Sequence, residues 1–296
     1  MDQNKSLELI ENFITVLRDR LGTDDYEISP GRVEKLTGSY DSVMVFNKKT
    51  KVGGNVDRQL VISLYEQGYC LERIAEYVIE NMVDEVLSVP IETDWILQYD
   101  KVKDLLFVRL SNRTENAQLL SVTPHKDLPG DLAATVHIYV EVEYGFGSVI
   151  VSEECLKSYG MTFDELYEAA IENGQKIMPV IIATLDETIG VPEVDHACTG
   201  VVMTNEKQIN GSAVILYPDV LEKAWDYFKE DFWLFPSSIH EMIAFRVSSM
   251  SEERARAILR NANKTVVAGN EKLSDVLYIY HHETGTFEPV EENNKE

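Results

Sequence analysis

The order of hydrophobic patterns along this 296-residue chain constrains its fold more than any other sequence feature. Segments that alternate like strands come in runs, and segments with helical spacing fall between those runs instead of following every strand. A doubly wound fold with a parallel sheet requires regular alternation of strands and helices. The sequence therefore predicts an α+β fold, with a mixed, mostly antiparallel sheet flanked by helices.

Apolar spacing and turn residues predict the individual elements. The predicted helices lie at residues 4–21, 71–87, 153–158, 163–176, 219–229 and 251–262. The predicted strands lie at residues 26–28, 42–46, 105–110, 132–143, 148–151, 200–204, 213–216, 232–235, 241–247 and 276–280. In the helix at 163–176, Thr162 and Glu165 have the spacing of a capping box.

Pro90 and the irregular stretch after it predict a boundary between two parts of the chain. We expect a helical/β N-terminal lobe at residues 1–90, a main α+β domain at 91–287 and an acidic, flexible tail at 288–296. Two segments, 68–81 and 160–173, align without gaps and share apolar positions. Duplication of one helical unit and independent convergence of two docked helices both explain this similarity.

The charge of the chain restricts the partners it can bind. It has 51 acidic and 27 basic residues, a formal charge of −24 at pH 7. Such a surface repels nucleic-acid phosphates and anionic membranes, so we expect neither direct nucleic-acid binding nor membrane binding. A basic protein partner is the complement of this charge. Mimicry of nucleic acid by carboxylates is a further hypothesis.

Compact motifs that define enzyme classes are missing from the sequence. It has no phosphate-binding glycine loop, no paired-cysteine metal motif and no nucleophile elbow, so no cofactor or metal is expected. No apolar run is long enough to cross a membrane. Cys70, Cys155 and Cys198 are widely spaced, which predicts reduced, mostly buried thiols and a cytoplasmic location.

Candidate catalytic residues follow an aromatic, strand-like segment that ends at Pro236. Ser238, His240 and Glu241 supply a hydroxyl, an imidazole and a carboxylate within a few positions, a combination that suits nucleophilic or acid–base chemistry. A structural role in a hydrogen-bonded connection explains them equally well. A zinc-protease helix is excluded because it needs a second histidine at position 244, which is Ala244.

A second polar segment precedes the long strand at 132–143. His125, with Asp127 or Asp131, could form an oriented base if the fold brings it to Ser238. Loop histidines with acidic neighbours are also common without any catalytic role.

The sequence resembles a bacterial family of domains of unknown function, number 5688, over roughly residues 43–287. The resemblance rests on these motifs: Arg109-Leu-Ser-Asn112 with Asn116, Pro124-His125, Asp131-Leu-Ala133, Met203-Thr-Asn205, Gly211-Ser-Ala213, Phe235-Pro-Ser-Ser-Ile-His-Glu241, Leu273-Ser-Asp275, Tyr278 and Tyr280. The chain departs from the family pattern at Gly174, where threonine is usual after the asparagine. The resemblance implies a bacterial cytosolic protein and no particular activity.

Three functional hypotheses follow. The leading one is a non-catalytic interaction or regulatory module that binds a basic protein partner. The alternative is a hydrolase-like enzyme with Ser238, His240, Glu241, His125 and Asp131 in one cleft. The third is an acidic nucleic-acid mimic. Whether the protein is an enzyme and what oligomeric state it has are left open.

Overall fold

The structure, a computed structural model, describes residues 3–35, 38–50, 52–87, 94–142, 145–189, 200–267 and 271–291. The chain divides into two compact units, residues 1–93 and 94–296. Each unit has its own apolar core.

The N-terminal unit consists of helices packed on a small antiparallel sheet. Its elements are α1 (Gln3–Leu21), β1 (Tyr26–Lys35), β2 (Gly38–Asn47), β3 (Val52–Asp57), α2 (Arg58–Glu66), α3 (Leu71–Val78) and a π-helix (Ile79–Leu87). The three strands pair in the order β1–β2–β3. Helix α1 buries Ile10, Phe13, Ile14 and Leu17 at helical spacing against the sheet. That apolar stripe explains why the first helix docks here.

The C-terminal unit contains the remaining elements. Its helices are α4 (Tyr99–Val102), α5 (Ala117–Leu120), α6 (Glu153–Tyr159), α7 (Phe163–Ile177), α8 (Leu185–Ile189), α9 (Val220–Phe228) and α10 (Glu252–Thr265). Short 3₁₀ helices lie at Asp94–Leu97, Lys103–Leu105, Gly211–Leu216 and Val247–Ser249. Its strands are β4 (Leu106–Asn112), β5 (Lys126–Asp127), β6 (Leu132–Val142), β7 (Gly145–Ile150), β8 (Val180–Thr184), β9 (Val201–Asn205), β10 (Phe232–Phe235), β11 (Met242–Arg246), β12 (Tyr278–His281) and β13 (Thr286–Pro289).

These strands form two antiparallel sheets. The larger has six strands in the order β13–β12–β10–β11–β9–β8. In the smaller, β6 lies between β4 and β5 and also pairs with β7. One face of the smaller sheet supplies Leu106, Val108, Val136 and Ile138 to the core, and α7 packs against β4. The capping box of Thr162 and Glu165 fixes the start of α7, as the sequence predicted.

A close contact at Gly130 positions the turn before β6. Gly130 has φ +68°, a conformation that disfavours other residues, and a Cβ there would overlap the ring of Tyr278 on β12. The tyrosine hydroxyl can therefore reach the backbone of this turn, accepting a hydrogen bond from the Asp131 amide at 3.0 Å.

The α+β prediction is confirmed, and all strand pairs among the described residues are antiparallel. The predicted strand at 213–216 is wrong, because this segment is part of a 3₁₀ helix. Ser212 holds the segment in place, since its amide and its hydroxyl both donate to the carbonyl of Ile239. The sequence prediction has no counterpart for helices α2, α4, α5 and α8 or for strands β3, β5, β8 and β13.

The structure bears on the sequence predictions for the C-terminal tail and for the cysteines. Residues 288 and 289, assigned to the tail from sequence, belong to β13, and residues 292–296 lie outside the described residues. Cys155 is a buried free thiol, but Cys70 is exposed at the N-cap of α3, so the expectation of buried thiols is wrong there. Cys198 lies outside the described residues.

Within the described part of the chain, no helix has the length and hydrophobicity to span a membrane.

Gly130→Ala should destabilise the protein by about 2–5 kcal/mol, because it combines a left-handed backbone with a clash against Tyr278. Gly285→Ala is the matched control, since Gly285 has φ +67° but open space around its Cα. Its cost should be about 1–2 kcal/mol. Urea unfolding measures both values. Equal losses would show that the Tyr278 contact does not constrain the turn.

Candidate functional site

Asp131 is the acceptor of a hydrogen-bond network that joins distant parts of the C-terminal unit. Its carboxylate accepts bonds from Asn112 Nδ2 at 2.6 Å, Ser274 Oγ at 2.7 Å and the Tyr278 hydroxyl at 2.8 Å. Asn112 also holds the turn after β4, because its Oδ1 accepts from the amides of Thr114 and Glu115. Asp131 is therefore saturated by donors within the protein, an arrangement that suits a structural carboxylate.

The segment 271–275 connects this network to the predicted catalytic motif. The amide of Ser274 donates to the Pro236 carbonyl at 2.8 Å, and that of Leu273 donates to the Ser237 carbonyl at 3.2 Å. The Leu273 carbonyl accepts from Asn112 Nδ2 at 3.1 Å. The motif around Ser238 is thus held by backbone hydrogen bonds on the same segment that contacts Asp131.

The side chains of Ser238 and His240 do not form a nucleophile–base pair. Ser238 is 5% exposed, and its Oγ accepts from the backbone amide of His240 at 2.9 Å. The His240 Nδ1 accepts from the amide of Asn210 at 3.2 Å, which leaves the proton on Nε2. That Nε2 faces Glu271 Oε1 at 3.6 Å. The imidazole is therefore oriented away from the hydroxyl that it would have to deprotonate.

Glu241 is the member of this motif with an altered acidity. Burial raises the pKa of Glu241, while a hydrogen bond with Ser238 and the nearby His240 oppose the rise. A half-buried carboxyl with a raised pKa suits acid–base chemistry, but it also occurs in structural positions.

His125 lies in a different cluster. Its Nδ1 bonds to the Thr123 carbonyl at 2.8 Å, and its Nε2 lies 3.6 Å from Asp127 Oδ1. It lines a shallow depression of about 380 Å³ with apolar neighbours that include Leu120 and Phe163. Among the described residues, His125 makes no hydrogen bond or ion pair with the Ser238 motif or with Asp131. The candidate residues thus belong to three hydrogen-bonding clusters.

Within the described residues, no group of three or more His, Cys, Asp or Glu side chains has an arrangement that could hold a metal ion. Asp195-His196-Ala197-Cys198, a ligand-type run, lies outside the described residues.

A groove between α2 and α3 in the N-terminal unit was missed by the sequence reasoning. This α2–α3 groove has a volume of about 330 Å³ and is lined by Leu60, Leu64, Tyr69, Arg73, Ile74 and Tyr77. Large apolar side chains line it although they are exposed, with Tyr69 at 50% and Tyr77 at 53%. A second depression of about 380 Å³ shares Leu60 and Tyr77 with it, so the apolar surface is continuous.

The segment that forms this groove is rich in acidic residues. Residues 57–87 contain seven acidic and two basic residues. Both basic side chains are paired, Arg58 with Asp41 at 3.0 Å and Arg73 with Glu76 at 2.6 Å. The lining of the groove is therefore mostly apolar, and the segment that forms it carries an excess of acidic residues.

A difference between the similar segments 68–81 and 160–173 points to the groove. Ile74 and Val78 of α3 are buried, as are Leu166 and Ala170 at the matching positions of α7. Tyr77 has no such counterpart, since the matching residue is Ala169. Tyr77 is exposed, and the similar helix has alanine at this position. Packing inside the unit therefore does not require a tyrosine there.

Comparison with known families decides the classification of the chain. Residues 7–282 match a family of unknown function, DUF5688. The chain belongs to the DUF5688 family. Nothing among the curated proteins or the solved structures matches this DUF5688 protein. The resemblance inferred from sequence motifs is confirmed.

Gly174 of this DUF5688 protein lies against Tyr217, which leaves no room for a side chain. A Cβ at Gly174 would lie 3.2 Å from Cζ of the buried Tyr217 and still closer to its hydroxyl. The preceding Asn173 donates from Nδ2 to the Leu106 carbonyl at 3.0 Å, linking α7 to β4. Threonine at 174 would therefore require Tyr217 to move.

Asp131→Asn should lower the free energy of unfolding by about 2–4 kcal/mol. The reason is that an NH2 group, which only donates hydrogen bonds, replaces one oxygen of a carboxylate that accepts them from three side chains. Asp127→Asn in the same loop is the control. Asp127 is 60% exposed and pairs with Arg113, so its loss should be below about 1 kcal/mol. Urea denaturation provides both values. Similar losses in the two variants would contradict a central role for Asp131.

Glu241→Gln should stabilise the protein at pH 7. A raised pKa means that the folded state disfavours the ionised carboxylate, so Glu241 lowers the free energy of unfolding as pH rises above about 4. The advantage of the variant should shrink at pH 4, where the carboxyl becomes protonated in both states. Urea unfolding at the two pH values measures it, with the exposed Glu168→Gln as control. An advantage that does not change with pH would contradict this account.

Proposed function

We propose that this DUF5688 protein is a non-catalytic interaction module whose α2–α3 groove binds a basic, amphipathic segment of a partner protein. The observation that carries the proposal is the groove itself, where large apolar side chains are exposed on one continuous surface. Contiguous apolar surface with a polar rim is typical of binding sites on folded proteins.

The residue types in the groove support a protein ligand. Tyr69 and Tyr77 flank the leucine and isoleucine side chains of the groove. Tyrosine contributes large contact area at low entropic cost and is enriched among the residues that dominate binding energy. An amphipathic helix that lays its apolar face into such a groove is a common mode of peptide recognition.

Charge selects the class of partner. The acidic residues of the segment that forms the groove, and the formal charge of −24 for the whole chain, favour lysine- and arginine-rich segments. The same charge disfavours nucleic acids and anionic membranes as ligands. A location in the bacterial cytoplasm is part of the proposal, and its support is the unpaired state of Cys70 and Cys155.

The contacts of the candidate catalytic residues favour this proposal over the hydrolase hypothesis. The His240 imidazole accepts a hydrogen bond from the Asn210 amide, Ser238 Oγ accepts from the backbone amide of His240, and Asp131 is saturated by other side chains. Nucleic-acid mimicry needs carboxylates that are free to imitate phosphates. Glu165 and Glu187 instead accept hydrogen bonds from Thr162 and Thr184 at helix starts, which argues against mimicry in that acidic stretch.

Tyr77→Ala should weaken binding of a basic amphipathic peptide about 10-fold or more, because it removes the most exposed aromatic ring of the groove. The probe is a fluorescein-labelled lysine–leucine helix of about 18 residues, long enough for ~5 turns. Fluorescence anisotropy gives the dissociation constant, which should rise steeply with NaCl concentration.

Tyr65→Ala is the matched control. Tyr65 is 44% exposed on α2 and is not among the residues that line the groove, so binding should change less than about 3-fold. A peptide of the same charge with serine in place of leucine should bind weakly, and its dissociation constant should be the same for Tyr77→Ala and the wild type. Equal effects of the two tyrosine variants, or affinity that does not depend on salt, would exclude the groove as the binding site.

A further inference from the structure

The smaller sheet of the C-terminal unit has a polar face behind its apolar one. Alternate residues of β4 and β6 point to this face, where Phe107 pairs with His137 and Arg109 pairs with Thr135 across the strands. Ser148 of β7 opposes Tyr139 on the same face. His137 and Thr135 are buried, whereas Arg109, Ser148 and Tyr139 are only half-buried. The face is thus enclosed at one end and reachable from solvent at the other.

Arg109 places a positive charge on this face without a carboxylate partner among the described residues. Its described hydrogen bond is a long one, from Nη1 to Ser148 Oγ at 3.4 Å. Its Nε is buried and has no partner in the described structure, and the same holds for the Ser111 hydroxyl on the same strand. Burial lowers the pKa of Arg109 to about 10, which leaves the side chain charged at pH 7.

His137 is neutral beside this charge. Its Nε2 bonds to Thr135 Oγ1 at 3.1 Å, and its Nδ1 bonds to Ser148 Oγ at 3.3 Å. Burial and the neighbouring Arg109 hold the pKa of His137 well below its ordinary value. The imidazole therefore adds no charge to the face, and both of its nitrogens are bonded within the protein.

A second cation lies at the accessible end of the face. Lys207, in the turn after β9, places its Nζ 5.2 Å from the ring centre of Tyr139. Lys207 is exposed and makes no ion pair with a described residue. Two cations on one face that form no ion pair with a described carboxylate are unusual in a chain with 51 acidic residues, although Glu141 lies further along the same face of β6.

We infer that the face carrying Arg109 and Lys207 is a binding site for the oxyanion of a small molecule, a carboxylate or a phosphate group. The planar guanidinium presents donors in the fork that matches such oxygens. The Ser111 hydroxyl, two residues along the same strand, is a neutral donor without a partner in the described structure, and Lys207 adds charge at the accessible end. This site belongs to a different unit of the chain from the α2–α3 groove.

The effect of Arg109 on stability distinguishes a ligand site from a structural one. A desolvated charge without a partner destabilises the folded state, whereas a buried residue that serves packing or hydrogen bonding stabilises it. Replacement of Arg109 by an apolar residue of similar length should therefore stabilise the ligand-free protein. A binding site typically lowers stability in this way.

The experiment is thermal unfolding of the full chain with sodium phosphate or sodium acetate, compared with NaCl at equal ionic strength. One of the two oxyanions should raise the melting temperature of the wild type by about 5–10 °C near saturation. Arg109→Met should raise the melting temperature in NaCl by about 2–4 °C and abolish the oxyanion response. The response to phosphate or to acetate tells which group the site takes.

Lys207→Gln tests the site without altering a buried residue, and it should weaken the oxyanion response several-fold. Arg254→Gln, at an exposed position of α10, changes the net charge equally and should leave the response unchanged. The inference is overturned if neither oxyanion stabilises the wild type beyond NaCl. It is also overturned if Lys207→Gln and Arg254→Gln respond like the wild type.

Discussion

The carboxylate of Asp131 binds together three parts of the C-terminal unit that are far apart in sequence. Asn112 lies 19 residues before it, whereas Ser274 and Tyr278 lie 143 and 147 residues after it. The closure of such long loops costs conformational entropy, which short, charge-assisted hydrogen bonds help to offset. The segment 271–275, the turn at Gly130 and the motif around Ser238 all take their positions from this network.

The same network explains why the candidate catalytic residues resemble an active site in sequence. Buried strand ends require side chains that satisfy backbone amides and carbonyls, and serine, histidine, asparagine and aspartate do so. Ser238 accepts from an amide, and His240 does likewise through Nδ1. Catalytic and structural uses draw on identical residue types, so proximity along the chain cannot separate them. What separates the two uses is which atom donates and which accepts in each hydrogen bond.

Sequence periodicity predicted the elements that carry a continuous apolar stripe of their own. Helices α1 and α7 have continuous apolar stripes and clear end signals, and both form as expected. The segment 213–216 failed because a short apolar run suits a strand or a 3₁₀ helix equally, and contacts with Ile239 decide between them. Strand β3 was missed because Gly53, Gly54 and Asn55 are poor strand formers that pair only because β2 is beside them.

The candidate sites were harder to predict than the fold, for a related reason. Tyr77 and Arg109 stand in ordinary amphipathic patterns, and what distinguishes them is the lack of an expected neighbour. Tyr77 lacks an apolar cover and Arg109 lacks a described carboxylate. Such deficits depend on which residues the fold brings close, so they cannot be read from spacing along the chain.

The position of Tyr278 has a consequence for synthesis on the ribosome. The Asp131 network cannot close until translation has passed residue 278, about 7–30 s after Asp131 is made at common elongation rates. During that interval the two sheets have no segment 271–275 to join them, and the turn at Gly130 has no aromatic ring against it. The nascent C-terminal unit therefore exposes its edge strands until its last strands arrive, so chaperone contact is most needed before β12 pairs with β10.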